Sequence, residues 1–176
     1  MYYTPTTKRS GDLQWRLAHE ALPPSIFVNR FDVTVSVLCP FYNTNEDVFH
    51  GYVDCIRLCA LIFLLKNIFD RVNVRFSLRV FIFGLGVASA DEKLILFLNY
   101  VLSEAKLAIY LSRKAKIKGK PPEQCNVILY FQSLVSTRLK LEFNYYSNNA
   151  NINGFVENWC VGKMCKVNEN DLEMCV

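Results

Sequence analysis

The chain has 176 residues, of which 52% are hydrophobic and 20% are charged, and its formal net charge is +4. This composition excludes an intrinsically disordered chain, which would contain fewer apolar residues and more net charge. The length suffices for a hydrophobic core, so we expect a single domain over residues 1–176. The weak positive charge permits a polyanionic partner without requiring one.

Neither a secretory signal nor a membrane span is predicted. Residues 1–11 are polar and basic, unlike a signal peptide, and the apolar run at 58–65 is far shorter than the ~20 residues that cross a bilayer. Seven cysteines without a signal peptide favour a reducing compartment. We therefore expect an intracellular protein, in the nucleus or the cytoplasm, with no membrane partner.

The N-terminal part is predicted to be helical. Ser10 is a candidate N-cap for a helix over 12–21. Pro24 can open a second short helix, because proline suits the first helical turn. After an extended segment that leads to Cys39, apolar residues spaced three and four apart predict one continuous helix from Asn45 to about Phe69.

The central part contains the longest predicted helix. The segment 74–86 is rich in β-branched and aromatic residues, which predicts a short strand or an extended connector. Ser89 is a candidate N-cap for a helix from Ala90 to about Lys118. A further helix is predicted from about Pro122 to Tyr146.

The tail is predicted to hold a short helix over 155–159 and a β-hairpin that turns at 168–170. The sequence therefore predicts a mainly α, helical single domain with a knuckle-like loop and a small C-terminal β-hairpin. Its parts are the N-terminal helices with the knuckle-like segment, the long-helix region and the tail, at residues 8–70, 71–150 and 151–176.

The segment 39–55 has the spacing of a zinc knuckle in which one ligand is replaced. Cys39, His50 and Cys55 stand at ligand positions, and Tyr42 stands where another cysteine would be expected. A phenol is a poor substitute, because it must lose a proton with a pKa near ~10 to bind well. Cys59 lies one turn after Cys55 on the predicted helix and is a candidate fourth ligand. The alternative is that these cysteines are small buried apolar side chains.

Basic residues occur in two segments that could contact phosphates. The candidate nucleic-acid-binding residues are Lys8, Arg9 and Arg16 in the first helix, and Arg113, Lys114, Lys116, Lys118 and Lys120 at the end of the long helix. Phosphate neutralisation by such residues supplies much of the affinity for nucleic acid. The alternative is a solvated helix end, since basic residues there stabilise the helix dipole without any partner. No pair of carboxylates stands out as an acid–base couple, and no catalytic residue is predicted.

Several segments in order carry a family resemblance. They are KRSGDLQWRLAHEAL, VLCPFYN followed by EDVFHGYVDC, FIFG, FLNYVLSEAKLAIYLSRKAKI, and LVSTRLKLEFNYY followed by F-x-x-x-W-C. Together they resemble the C-terminal region of LINE-type (non-LTR) retrotransposon reverse transcriptases. The resemblance covers roughly residues 8–168 without a large gap.

The resemblance implies a region downstream of the polymerase, with a zinc knuckle that helps to bind template RNA. Cys39, His50 and Cys55 match three ligands of that knuckle, and Tyr42 occupies the fourth position, so zinc is the implied cofactor. The sequence contains no Y/F-x-D-D motif, so a non-catalytic chain with residual RNA or DNA binding is expected, and no small-molecule substrate. The alternative is a protein-interaction or structural domain of a domesticated or decayed element.

Overall fold

Seven α-helices and one two-stranded sheet make up the part of the chain that the computed structural model describes, residues 7–19, 21–22, 25–86, 91–161, 164–168 and 171–175. The helices are α1 (Lys8–Ala18), α2 (Ser25–Val28), α3 (Cys59–Asp70), α4 (Leu78–Phe83), α5 (Glu92–Ile117), α6 (Val127–Asn148) and α7 (Ile152–Trp159). Strands β1 (Cys165–Asn168) and β2 (Asp171–Met174) pair antiparallel. The protein is mainly α with a small C-terminal hairpin, as predicted.

Helix α5 is the centre of the fold and packs against α1, α6 and α7. Asp91 caps its first turn by accepting a hydrogen bond from the backbone N–H of Leu94. The predicted N-cap, Ser89, lies outside the described residues. The completely buried apolar side chains of this helix include Leu98, Tyr100, Val101, Leu102, Ala105, Ala108 and Ile109. Because burial of one large apolar side chain contributes roughly 1.5–3 kcal/mol, α5 is the main source of core stability.

Helix α5 is also, within the described ranges, the helix that is long and apolar enough to cross a bilayer. Its most apolar 18-residue window is 72% buried against the rest of the protein. A helix that forms the core of a domain has the same composition, because it must be apolar on nearly every side. Burial within the fold therefore accounts for its apolar character.

Helix α1 begins at Lys8, earlier than predicted, and Thr7 is its N-cap instead of Ser10. The Thr7 side chain accepts a hydrogen bond from the backbone N–H of Ser10 at 3.2 Å, and Ser10 is buried in the first turn. Leu13 and Leu17 of α1 pack into the core. Pro24 lies outside the described residues, and the short helix predicted after it is α2.

The continuous helix predicted from Asn45 to Phe69 is wrong. A π-helical turn over His50–Asp54 is followed by Cys55 in an extended conformation (φ −62°, ψ 123°). A 3-10 turn over Ile56–Leu58 then leads into α3. Because these short pieces all pack on the same core, they produce the apolar spacing that a single helix would also produce.

Residues 78–83 in the middle of the segment 74–86 form helix α4, so the predicted strand or extended connector is wrong there. Ser77 caps α4 by accepting a hydrogen bond from the backbone N–H of Val80 at 3.1 Å. Phe81 is completely buried, which explains the aromatic, β-branched composition by tertiary packing. Gly84 ends the helix at φ 82°, a conformation that favours glycine.

The C-terminal elements follow the prediction with shifted boundaries. A 3-10 turn over Pro122–Cys125 precedes α6, which Asn126 caps, so the helix proper starts later than the proline pair suggested. Asn151 caps α7, and the hairpin pairs Cys165 with Met174. The hairpin turn predicted at 168–170 is described only at residue 168.

Candidate metal centre and basic groove

The loop over residues 37–46 carries Cys39 and is closed by backbone hydrogen bonds. Leu38 and Asn45 form an isolated antiparallel bridge. The N–H of Cys39 donates to the Thr44 carbonyl at 2.7 Å, and the N–H of Glu46 donates to the Val37 carbonyl at 2.9 Å. These bonds hold Cys39 on one arm of the loop.

The structure brings three of the predicted ligands together. One ligand atom from each of Cys39, His50 and Cys55 lies within 4.8 Å of the other two. The two sulfurs are 3.9 Å apart, and two thiolates bound at ~2.3 Å to a tetrahedral zinc ion are about 3.8 Å apart. The donor set and the sulfur separation therefore fit zinc.

The π-helical turn explains why His50 and Cys55 lie close together. In an α-helix, five residues turn the chain by ~500°, which leaves the two side chains about 140° apart around the axis. Here the N–H of Cys55 donates to the carbonyl of His50 at 3.0 Å, the i→i−5 bond of a π-turn. Asp47 fixes the start of this turn, because its carboxylate accepts a hydrogen bond from the N–H of His50 at 2.6 Å.

The surroundings of the two thiols combine burial with a nearby positive charge. Burial raises the pKa of the Cys55 thiol, and the backbone N–H of Arg57, which is directed at the sulfur, opposes that rise in pKa. The Arg57 guanidinium lies 4.2 Å from the ring centroid of Phe41 and donates to the Ser112 hydroxyl at 3.1 Å. Because zinc binds thiolates, metal binding at this site must release protons.

The fourth predicted ligand, Cys59, lies outside this cluster. It is the first residue of α3 and is exposed, whereas Cys39 and Cys55 are buried. Its prediction assumed that Cys55 and Cys59 are one turn apart on the same helix, but the chain is extended at Cys55. Tyr42, at the position of the replaced ligand, is 43% exposed. Among the described Cys, His, Asp and Glu side chains, three converge here.

Three of the predicted phosphate-binding residues line one groove between α1 and α5. Arg9 and Arg16 of α1 and Lys114 of α5 line a groove of about 340 Å³, which we call the basic groove. Tyr110 and Asp12 also line it. Of the remaining predicted phosphate contacts, Lys116 is half-buried, and the exposed ones are Lys8, Lys118 and Lys120.

Arg113 is engaged by a carboxylate. Its Nε donates to Oε1 of Glu46 at 2.7 Å and its Nη2 donates to Oε2, while Glu46 is only 2% exposed. The hydrogen bonds with Glu46 raise the pKa of Arg113. Arg113 is therefore bound to Glu46 within the fold, whereas a residue that contacts phosphates needs an exposed guanidinium. No local signal in the sequence identifies this pairing, because the two residues are 67 positions apart.

A larger cavity of about 700 Å³ lies between the 34–52 segment, α1 and α5. Cys39, Tyr52 and Glu46 are among its lining residues. Arg16 and Tyr110 line both this cavity and the basic groove. The candidate metal centre, the cavity and the basic groove are therefore adjacent.

The chain is 32% identical over 167 residues to the "Transposon TX1 uncharacterized 149 kDa protein" of Xenopus laevis. The match covers 94% of this chain and 12% of that protein, so the chain spans a small fraction of the relative. This similarity supports a retrotransposon origin for the chain. No protein-family model and no solved structure matches it.

Proposed function

We propose that the protein is a non-catalytic nucleic-acid-binding domain of a retrotransposon-derived protein, in which the basic groove contacts the phosphates of RNA or DNA. The observation that supports this most is that Arg9 and Arg16, far from Lys114 in the sequence, line the same groove. If the basic residues of α5 only stabilised the dipole of that helix, there would be no reason for basic residues of α1 to lie beside them. A groove lined by several cations attracts and neutralises a phosphate backbone.

Zinc at Cys39, His50 and Cys55 would act structurally. It would tie the loop over 37–46 to the π-turn and contribute folding free energy, because the ion binds the folded arrangement of the ligands and not the unfolded chain. The two sulfurs at 3.9 Å support this assignment. Tyr42 then stands outside the ligand set, and the site holds the metal with three side chains of the protein.

The candidate metal centre and the basic groove are connected through Glu46. This residue belongs to the loop that carries Cys39, and its partner Arg113 precedes Lys114 on α5. A metal that orders the loop would therefore also support the face of α5 that lines the groove. We expect nucleic-acid binding to weaken when the metal is removed.

The experiment is a salt titration of the affinity for a generic single-stranded RNA. Each phosphate contact contributes about 0.7 to the slope of log K against log salt for a single strand. The variant Arg9→Gln/Arg16→Gln/Lys114→Gln should therefore bind more weakly, with a slope shallower by about 2. The control Lys66→Gln/Arg71→Gln/Arg75→Gln removes the same charge from exposed positions outside the groove and should keep most of the slope. Equal slopes for the two variants would contradict the proposal.

A protein-interaction domain is the second candidate, and exposed aromatic residues in α2 and just after it favour it. Phe27 and Phe31 form an edge-to-face pair with ring centroids 5.3 Å apart, although they are 46% and 79% exposed. Val33, close by in the sequence, is 84% exposed. Exposed apolar clusters of this kind commonly mark protein contacts. RNA binding that is absent or independent of salt would favour this candidate.

A further inference from the structure

We propose that the nucleic acid is single-stranded and that one of its bases enters the 700 Å³ cavity beside the basic groove, an inference that rests on the proposed function. The cavity size falls within the ~300–1,000 Å³ typical of small-ligand sites. Leu22, Val35, Val48 and Ile117 supply apolar walls. Apolar walls with a few polar groups suit a flat, partly polar base.

The cavity and the basic groove share residues, which gives a strand a path between them. Arg16, Leu22 and Tyr110 line both spaces. A strand whose phosphates contact Arg9, Arg16 and Lys114 can therefore turn one base into the cavity without leaving the groove. A base in a duplex must first be unstacked and unpaired, which costs a few kcal/mol, so a single strand is favoured.

Tyr110 is the residue placed to stack on that base. It is half-buried on α5, and the completely buried Ile109 before it fixes the backbone at this position. The Lys114 ammonium lies over the Tyr110 ring, 6.0 Å from its centroid, so a base stacked on the opposite face of the ring would have a positive charge nearby. Stacking on an aromatic ring tolerates any sequence, since every base has a π-face.

Tyr52 supplies a polar group inside the cavity. Its side chain is 6% exposed and lines the cavity wall. A protonated phenol can both donate to and accept from the edge of a base. This pattern favours a base over a purely apolar ligand.

The first experiment needs no protein variant. The affinity of the wild-type chain is measured for a single-stranded RNA, for an RNA duplex with the same number of phosphates, and for an abasic strand of the same length. Phosphate contacts alone favour the duplex, whose charge per unit length is higher. Tighter binding of the single strand than of both competitors is therefore the result expected if a base enters the cavity. Equal or tighter binding of the duplex or the abasic strand would overturn the inference.

The second experiment changes the stacking residue. Tyr110→Leu should weaken single-strand binding roughly 5- to 150-fold, the range for loss of one stacked base, and should leave the salt slope unchanged. Tyr110→Phe is the matched control, because it keeps the ring and should keep the affinity. If Tyr110→Leu is folded and binds like the wild type, the inference fails while the proposed function stands. If the wild type shows no salt-dependent binding, the proposed function itself fails.

Discussion

Arg113 of α5 and Glu46 of the loop over 37–46 form a partly buried bidentate ion pair, with Nε of Arg113 2.7 Å from Oε1 of Glu46. The pair joins the segment that carries Cys39 to the helix that carries Lys114. It also connects residues far apart in the sequence, so it fixes tertiary structure and not a local turn. The position of the candidate metal centre relative to the basic groove depends on it.

Breaking this ion pair should destabilise the fold strongly. Glu46→Gln leaves a partly buried guanidinium without its counter-charge, and we expect a loss near the lower end of the ~3–5 kcal/mol that a fully buried unpaired charge costs. Chemical denaturation of the wild type and the variant would measure the loss. The control is Glu157→Gln, because the Lys93–Glu157 pair is exposed on both sides, where ion pairs contribute ~0–1 kcal/mol. Similar losses for the two variants would contradict a structural role for Glu46.

Zinc binding should depend on Cys55 and not on Cys59. Purified protein should carry about one equivalent of zinc, because one three-ligand cluster is present in the described residues. Cys55→Ser removes a thiolate from that cluster and should abolish the metal, as elemental analysis would show. Cys59→Ser changes an exposed thiol and should leave the metal content intact. Zinc retained by Cys55→Ser, or lost from Cys59→Ser, would refute the ligand assignment.

Placing a cysteine at position 42, where the knuckle pattern expects one, should strengthen zinc binding. Tyr42→Cys adds a thiol three positions after Cys39, in the loop that already holds one ligand. Tyr42 is 43% exposed, so its removal should cost little packing energy. A fourth ligand, which would be the third thiolate of the site, should raise the zinc affinity at least about tenfold, the lower end of the effect of changing an outer-shell partner. Competition with a chelator measures it, and an unchanged affinity would mean that position 42 faces away from the metal.

The buried Lys106 should make stability rise with pH above neutrality. Its ammonium donates to the Ile82 carbonyl at 2.9 Å, and burial lowers its pKa from 10.5 to about 7. The unfolded chain keeps this proton up to pH 10.5, whereas the folded chain releases it near 7, so stability increases between those values.

Lys106→Met should remove that dependence. The variant should be more stable than the wild type by a few kcal/mol at pH 7 and below, since one pKa unit corresponds to about 1.4 kcal/mol. The loss of the hydrogen bond to Ile82 offsets roughly 1 kcal/mol of this gain. The difference between the two proteins should shrink as pH rises toward 10.5. Urea denaturation across this interval measures it, and a difference that is constant with pH would contradict a lowered pKa.

Local patterns predicted much of the fold. The apolar spacing of α5 and the composition of the tail sufficed for the central helix and for the hairpin, because both depend on neighbouring residues. Ser77 and Thr7 show where local reasoning failed. Each is an ordinary capping residue, but choosing between candidate caps requires knowing which face of the helix the core buries. In α4, tertiary packing of Phe81 overrode the strand preference of the segment.

The candidate site was predicted only where its ligands have a characteristic spacing. The knuckle-like pattern predicts Cys39, His50 and Cys55. Nothing in the sequence predicts the π-turn that brings His50 and Cys55 together. Cys59 was placed in the cluster because an unbroken helix was assumed. The Glu46–Arg113 pair joins positions 67 residues apart, and no local signal identifies such partners.

The most direct test of the central claim is the salt dependence of RNA affinity, measured on protein whose zinc content is determined in the same sample. The account predicts that the zinc-loaded wild type binds single-stranded RNA with an affinity that falls linearly on a log–log salt plot. Chelator-treated protein should bind more weakly. An affinity that stays the same across salt concentrations would contradict binding through the basic groove.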